Sequence, residues 1–469
     1  MTHAAGFVDV QTEWDGEVLP VKGVLPEWLR GSLLRNGPAR FTVGQRSYRH
    51  WFDGLAMLHS FAIADGEITY RNRFLDSPAH QAATREGRIS FGEFATDPCR
   101  SIFKRVSTVF APPAAGSNAN VNLSVLAGEW VALTETPMAV AFDPQTLATA
   151  GVVGYDDELK GFVTTAHPHH DATRREAFNY LLEFGPRSAY HVYGVPDGSR
   201  ARRRIASIPA REPAYIHSFG ATDQYLVLVE FPLVVNPIKL LTSGKPFIEN
   251  YEWKPERGAT FHLIDIDSGD VITTAKTDAF FAFHHVNAFQ EGNDVVVDVC
   301  AYDDPGIIDA LYLDQARSGF AADSTVDSRL TRFRVPLGGG TVRREVLCDE
   351  IFELPRINYG PHNGKAYRYT YGSSTSRPLG SFINQLVKID VETRESIVWR
   401  EPDTYPGEPV FVAAPNAQSE DDGVILSVVL DGRSDTSFLL VLDAQSFTEL
   451  ARAEVPQAVP FGFHGQFLH

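Results

Sequence analysis

Cysteine is nearly absent from this chain. There are three in 469 residues, Cys99, Cys300 and Cys348, widely spaced and with no CxxC pair. That pattern excludes a disulfide-dense scaffold, leaves room for at most one bridge, and fits reduced thiols in a cytoplasm. Basic residues are also short. Lys and Arg number 42 against 59 Asp and Glu, for a formal net charge of -17. A nucleic-acid surface needs Lys and Arg in excess, so nucleic acid is not the expected partner. No apolar run approaches the roughly 18 residues of a membrane-spanning helix. The opening MTHAAGFVDVQTEWDGE has neither a basic n-region nor an apolar h-region, so it is not expected to act as a signal peptide. No low-complexity tract and no linker-like segment divides the chain, and residues 1–469 read as one domain. Length alone would argue for about three, but large β architectures run longer as single units.

What is abundant is the short apolar, β-branched run. EWVALTE, FNYLLEF, QYLVLVEF, FHLIDI, NDVVVDVCAY, NQLVKIDV, GVILSVVL and SFLLVLDA recur along the chain. Gly, Asp, Asn or Pro punctuates nearly all of them, as expected for many antiparallel strands joined by tight turns. A repeated phrase of strand, Asp, turn, then Thr or Ser appears in AFDPQTLATAG, IDIDSGD, KIDVETRES and VLDAQSFTEL. Evenly spaced short strands of this kind fit an all-β, closed propeller. No crisp repeat of 40 to 50 residues sets the number of blades.

Two stretches break the β pattern. In DPCRSIFKRVSTVFAP, residues 97–112, a helical register puts Ile102, Phe103, Val106, Val109 and Phe110 on one face, with Arg100, Lys104 and Arg105 beside it. A basic amphipathic helix in an acidic protein points to peripheral contact with a membrane surface; packing on the protein's own core is the equal alternative. The second stretch, FPLVVNPIKLLTSGKPFIENYEW from Phe231 to Trp253, reads as a long apolar loop. It either lines a channel mouth or forms a buried connection.

Four histidines in similar apolar settings carry the chemistry: His167 in TTAHPHHD, His217 in AYIHSFG, His284 in FFAFHHVNAF and His464 in PFGFHGQFLH. Each reads as lying at a strand end. Burying an imidazole costs free energy unless both ring nitrogens find partners, and a metal on one with an acceptor on the other meets that demand. Any single histidine of this kind is ordinarily a core or surface residue; four in such settings favour a shared role. Their separations of 50, 67 and 180 positions exclude a local zinc finger or an HExxH helix. They suit ligands delivered by different blades to a central axis. Four histidines would close zinc into an inert tetrahedron, whereas octahedral Fe(II) keeps two open positions for O2 and a neighbouring substrate. Ligating histidines usually donate their second N–H to a carboxylate or carbonyl. Glu135 at the end of WVALTE, Glu353 in IFELPRIN and Glu408 in YPGEPVFV sit in apolar contexts suited to that task.

With LLRNGPAR, HWFDGLAMLHSF, ALTET, the four histidine segments, FELPRIN, GEPVFV and the terminal FGFHG, nearly the whole chain resembles the carotenoid cleavage oxygenase family. The resemblance implies a seven-bladed β-propeller with one Fe(II) on its axis and a loop-and-helix dome over one face. It implies His167, His217, His284 and His464 as iron ligands. Glu135, Glu353 and Glu408 would hold His217, His284 and His464 respectively, leaving His167 without a carboxylate. His169 and His285 are not expected in the set. Val121, in NANVNL, matches the small residue crowding one open iron position, and Phe52, in HWFDG, matches a wall of the substrate channel. The segments DPCRSIFKRVSTVF and IHSFGATDQYLVLVEFPLVVNPIKL look most like the animal retinoid and carotenoid branch, where Cys99 matches a cysteine of the membrane-facing entrance. Gln290 departs from a common Glu and reads as peripheral. The implied activity is Fe(II)-dependent cleavage by O2 of a conjugated C=C bond in a lipophilic carotenoid or apocarotenoid. The alternatives are cleavage of a stilbenoid or phenylpropene, an O2-independent retinoid isomerase, and a non-catalytic propeller. Thr134 stands where the stilbene-cleaving branch typically has a phenol-gripping Lys.

Overall fold

The computed structural model describes residues 2–97, 118–185, 187–321 and 326–469. The segment carrying Cys99, Ile102, Phe103, Val106 and Phe110 lies outside these, and its expected helical face is not addressed by the structure. Among the described residues no helix is long and apolar enough to cross a membrane.

Seven antiparallel sheets form the blades of a propeller. Most strands lie between two neighbouring sheets, so both faces must be apolar. That is why QYLVLVEF, NDVVVDVCAY and GVILSVVL read as near-continuous hydrophobic runs rather than alternating ones. One core packs Leu33, Phe61 and Tyr70 of the first blade against Val410, Leu426 and Val441 of the last. Another packs Tyr180 and Val192 against Leu226 and Ile264, and a third Val296 and Leu330 against Val387 and Ile389. Alternation appears in strands such as the outermost Val271–Thr277, where Thr273 and Ala275 are buried between exposed neighbours.

The recurring Asp phrase is one geometric device used four times. Asp143, Asp265, Asp390 and Asp443 end the third strand of their blades, and each side chain accepts from a backbone N–H two or three residues on, at 2.7 to 3.1 Å. Such Asx turns are a standard way for Asp to reverse a chain. The residue four positions later then takes a left-handed backbone: Leu147, Gly269, Arg394 and Phe447, with φ from 57° to 76°. Its N–H returns to the Asp carbonyl at 2.7 to 2.9 Å. The repeat that sequence periodicity does not resolve is therefore present as a turn geometry.

The ring closes at two places. The C-terminal strand Gly465–Leu468 is the innermost strand of the first blade, paired with Gly31–Arg40. The strand Val21–Gly23, second in the chain, is the outermost strand of the last blade, paired with Glu449–Val455. Over one end of the axis, the short helices Gly306–Ala310 and Leu313–Ala316 and the turn Trp51–Asp53 pack into an aromatic cluster with Phe7, Tyr215, Phe283 and Phe463. The apolar stretch after Phe231 is not a structureless loop. Leu233–Val235 and Tyr251–Trp253 pair as a ribbon around the helix Pro237–Thr242. Phe231 and Val235 are buried, while Ile238 is exposed.

The closing strand generates a stability prediction. Gly31 has φ +137°, and a Cβ there would collide with the backbone oxygen of Leu468 and the ring of Phe467. Gly66, in the tight Asp65–Gly66 hairpin, has φ +82° but open space around it. Gly66→Ala is expected to cost about 1 kcal/mol, for conformation alone. Gly31→Ala should cost several times that, because backbone at the closure must move. Urea unfolding midpoints of the two variants check this; equal losses would show that the last strand yields freely.

Candidate metal centre

Each of the four histidines is carried by, or directly precedes, an innermost strand of a different blade. His167 lies two residues before His169–Asp171, and His217 three residues before Gly220–Ala221. His464 immediately precedes Gly465–Leu468. His284 differs from the expected strand end: it sits inside Phe281–Glu291, where the pairing register slips between Ala282 and His285. Such an irregularity re-aims a side chain out of the sheet's ordinary alternation. The four donor atoms converge within 4.8 Å of one another. His167 Nε2 lies 3.0 Å from His217 Nε2, and His284 Nε2 lies 3.2 Å from His464 Nε2.

Three carboxylates determine the tautomers. His217 Nδ1 is 2.7 Å from Glu135, His284 Nδ1 is 2.6 Å from Glu353, and His464 Nδ1 is 2.7 Å from Glu408. A carboxylate oxygen accepts, so the proton is assigned to each Nδ1 and the lone pair to each Nε2. His284 and His464 thus point two lone pairs at each other across 3.2 Å. Two acceptors at that distance repel unless a cation stands between them. Burial opposes a proton in that role: it pushes His167 well below the ordinary range, lowers His217, and brings His464 down to about 4. A metal ion is the remaining cation, and a borderline ion that favours imidazole fits the donor set. His167 has no carboxylate partner among the described residues; its backbone N–H donates to Thr165 Oγ1 at 3.0 Å, and the same hydroxyl donates to the His217 carbonyl.

The three carboxylates are not equivalent. Burial would raise Glu408, but Arg356, His464 and Arg35 outweigh it and hold the group well below the usual carboxylate range. Arg35 is itself 5 % exposed and donates to Glu408 and to the Phe463 carbonyl; Arg356 donates to Glu408 at 2.9 Å. Glu353 is likewise lowered against burial, by His284, the Leu354 N–H and the Tyr302 hydroxyl at 3.0 Å. Glu135 accepts from the Tyr215 hydroxyl at 2.8 Å. Sequence reasoning assigned no role to Arg35, Arg356, Tyr215 or Tyr302. Both arginines lie inside quoted motifs, and Tyr215 is two positions before His217, the same-face spacing of an extended chain.

The NANVNL segment is scaffolding. Asn122 donates to the Ala166 carbonyl at 2.8 Å, next to His167, and Asn120 donates to the Phe52 carbonyl at 2.8 Å. Val121 and Phe52 both line a cavity of about 260 Å³ that reaches His217, His284 and His464. Phe52 lies nearly parallel to His217 at 6.4 Å between ring centroids, and edge-on to Phe283 and Phe463. Thr134 and Phe247 are also in the wall. His169 and His285 lie outside the cluster: His169 bonds the Phe219 carbonyl and Tyr359, and His285 bonds Ser218. Gln290 is exposed and reaches only the Gly292 carbonyl. Cys300 and Cys348 are buried free thiols.

The profile of the family described as Retinal pigment epithelial membrane protein matches residues 7–469. The chain is 36% identical to the carotenoid-cleaving dioxygenase, mitochondrial, of Mustela putorius furo, over 96% of this chain and 93% of that one. It is 36% identical to the human beta,beta-carotene 15,15'-dioxygenase, over 96% and 91% respectively. The crystal structure of cobalt-substituted Synechocystis ACO shares the fold, with a TM-score of 0.89 at 24% identity, covering 100% of this chain and 98% of that one. The chain belongs to this carotenoid oxygenase family.

A pH dependence follows from two buried histidines outside the cluster, His50 and His59. His50 accepts the Phe52 N–H on Nδ1 at 3.1 Å and bonds the Ile308 carbonyl through Nε2 at 2.9 Å. A second proton has no place to go. Burial lowers His50 and His59 to about 3. The unfolded chain binds these protons below about pH 6.5 while the folded chain does not, so stability is complete above that pH and falls as pH drops toward 3. Each group tilts stability by up to about 1.4 kcal/mol per pH unit. Urea midpoints of metal-free protein should be flat from pH 8 to 7 and decline from 6.5 to 5; a flat profile throughout would contradict the neutral burial of these rings.

Proposed function

We propose that this chain is an Fe(II)-dependent dioxygenase that cleaves a conjugated C=C bond of a carotenoid or apocarotenoid into two carbonyl products. The observation that carries the proposal is the convergence of imidazole lone pairs on the wall of an apolar, aromatic-lined cavity. His167, His217, His284 and His464 would hold the iron, and four neutral ligands leave its charge uncompensated by the first coordination sphere. Iron held there supplies the O2 chemistry that the side chains cannot.

The remaining work belongs to the protein. Glu135, Glu353 and Glu408 keep the Nδ1 protons in place, so that the Nε2 lone pairs stay aimed at one point. Arg35 and Arg356 keep Glu408 ionised in a buried position, where a lone carboxylate would otherwise take a proton. Phe52, Phe283, Phe463 and Trp51 present flat apolar surfaces on which a polyene can lie, and they exclude water from the reacting bond. Val121 narrows the cavity beside the histidines and leaves less room on that side. No general acid or base is required for adding both atoms of O2 across a double bond. The apolar wall supports a lipophilic substrate. Thr134, which lines the cavity without a charge, favours the polyene over a phenolic stilbene.

Two expectations test this reading. The purified protein should carry about one iron per chain, and His217→Ala or His284→Ala should abolish its retention. Glu353→Gln should fold normally but lose roughly 10–100-fold in iron affinity or turnover. Metal analysis with oxygen-uptake assays decides, and an active, iron-replete His217→Ala/His284→Ala double variant would sink the assignment. Absence of O2 uptake alongside isomerised retinoid products would favour the isomerase.

Substrate class is the second test. kcat/KM should be higher on an apocarotenal than on resveratrol, because an apolar wall lacks the polar grip that discriminates a phenol. Resveratrol cleavage with no aldehyde from any carotenoid, read by mass, would overturn the substrate class and leave the metal centre standing.

A further inference from the structure

The cavity wall contains a carboxyl that the cleavage chemistry does not use. Glu93 lines it between Gly92 and Phe94, and its Oε1 is out of reach of solvent with no hydrogen-bond partner among the described residues. Most polar groups around the cavity are engaged. Glu135 and Glu353 bind histidines, Ser328 donates to the Phe352 carbonyl, and Ser373 donates to the Gly407 carbonyl. A carboxyl left without a partner in an apolar wall is costly, and such a group calls for an explanation.

Its backbone is held firmly. The Glu93 N–H donates to the Thr96 carbonyl at 2.9 Å. Asp53 accepts from the Ala95 N–H at 3.1 Å and from the Thr96 hydroxyl at 2.6 Å, and the Thr96 hydroxyl accepts the Arg49 N–H at 2.8 Å. Asp53 thus pins the turn that presents Glu93. Burial, with the Asp53 charge added, lifts the Glu93 carboxyl well above the usual range and so favours the protonated form, which can both accept and donate. Two aromatic layers separate this turn from the histidines: Phe94 packs on Phe52 at 5.1 Å, and Phe52 on His217 at 6.4 Å. Glu93 therefore stands away from the reacting bond, where the end of an extended substrate would lie.

We infer that Glu93 is a specificity residue that reads a hydroxyl group on the end ring of the polyene. A hydroxyl both donates and accepts, so it satisfies Oε1 whichever oxygen of the carboxyl carries the proton. A hydrocarbon ring leaves the carboxyl unpaired in the complex. Sites built to hydrogen-bond a substrate hydroxyl reject the analogue lacking it for this reason. Thr136 Oγ1 is also buried without a partner in the same wall, but it adjoins Glu135 at the metal centre and a hydroxyl turns more freely than a pinned carboxyl.

The inference rests on the polyene-cleaving reading, and the test separates the two. Binding of a ring-hydroxylated apocarotenal and of the same apocarotenal without the hydroxyl is measured by quenching of tryptophan fluorescence, alongside kcat/KM for each. Wild type should bind and turn over the hydroxylated chain about tenfold better or more, which corresponds to one hydrogen bond gained in a dry site. Glu93→Leu should bring the ratio to about one and raise the Tm, since the unpaired carboxyl is gone. Glu93→Gln, which keeps a donor and an acceptor, should retain part of the preference. A wild-type ratio near one, or a ratio unchanged in Glu93→Leu, overturns the assignment even if both chains are cleaved. A Glu93-dependent difference in Kd with no cleavage of either chain supports the assignment and removes the cleavage reading instead.

Discussion

The pairing of the last strand, Gly465–Leu468, with Gly31–Arg40 is the contact on which the rest of the molecule depends. It closes the ring of seven sheets, and it does so with His464 at its first step. Glu408 ties the joint together: it accepts from the Gly465 N–H at 3.0 Å, from Arg35 on the first blade, from Arg356 on the sixth, and from His464 itself. Closing the propeller and completing the four-histidine cluster are thus one event. The centre cannot form in an open ring, and a ring closed out of register would carry His464 off the axis. A one-residue slip in a strand moves every side chain to the opposite face.

The buried charges around the axis are distributed unevenly, and the unevenness has a physical reason. Glu408 sits 1 % exposed with two guanidinium groups beside it, so its charge is balanced by the protein alone. Glu135 and Glu353 have tyrosine hydroxyls rather than cations as their additional partners. A hydroxyl stabilises a carboxylate without cancelling its charge. Set against the two guanidinium groups, the three carboxylates leave one net negative charge near the axis for whatever cation the imidazoles hold. A cation complements that arrangement, and removal of one buried charge partner would be expensive because the other would stay behind unpaired.

The dome and the cavity follow the same economy of polar groups. Trp51, Phe52, Phe283, Phe382 and Phe463 present ring faces and edges to the space next to the histidines, and Phe7 packs against Trp51 and Phe382. Several polar side chains there are tied to backbone, Ser328 to the Phe352 carbonyl and Ser373 to the Gly407 carbonyl, and behind the wall His50 is held by Phe52 and Ile308. In such surroundings each unpaired polar atom stands out against an otherwise satisfied background.

Much of this was legible in the sequence. Apolar β-branched runs broken by turn residues pointed to a β architecture, because segments that short and that rich in β-branched residues favour pairing as strands over a helix. Asp143, Asp265, Asp390 and Asp443 marked recurrent hairpins, since a short carboxylate accepts its own downstream N–H. The four histidines stood out as a set because imidazole is costly in apolar surroundings without a partner on each nitrogen. Glu135, Glu353 and Glu408 were recognisable from their apolar flanks and from motif resemblance. Other features were decided only in three dimensions. Arg35 and Arg356 are 321 positions apart, and nothing local in either motif says that both end on Glu408. His284 owes its direction to a slip in strand register, which depends on the partner strand rather than on its own neighbours. The unpaired oxygen of Glu93 is visible only once the cavity exists, because satisfaction of a polar atom is a property of everything that surrounds it. The sequence by itself determined which residue types were available and which local turns would form; the closure of the ring decided which of them meet, because histidines from four different blades share one axis only when the last strand completes the first sheet.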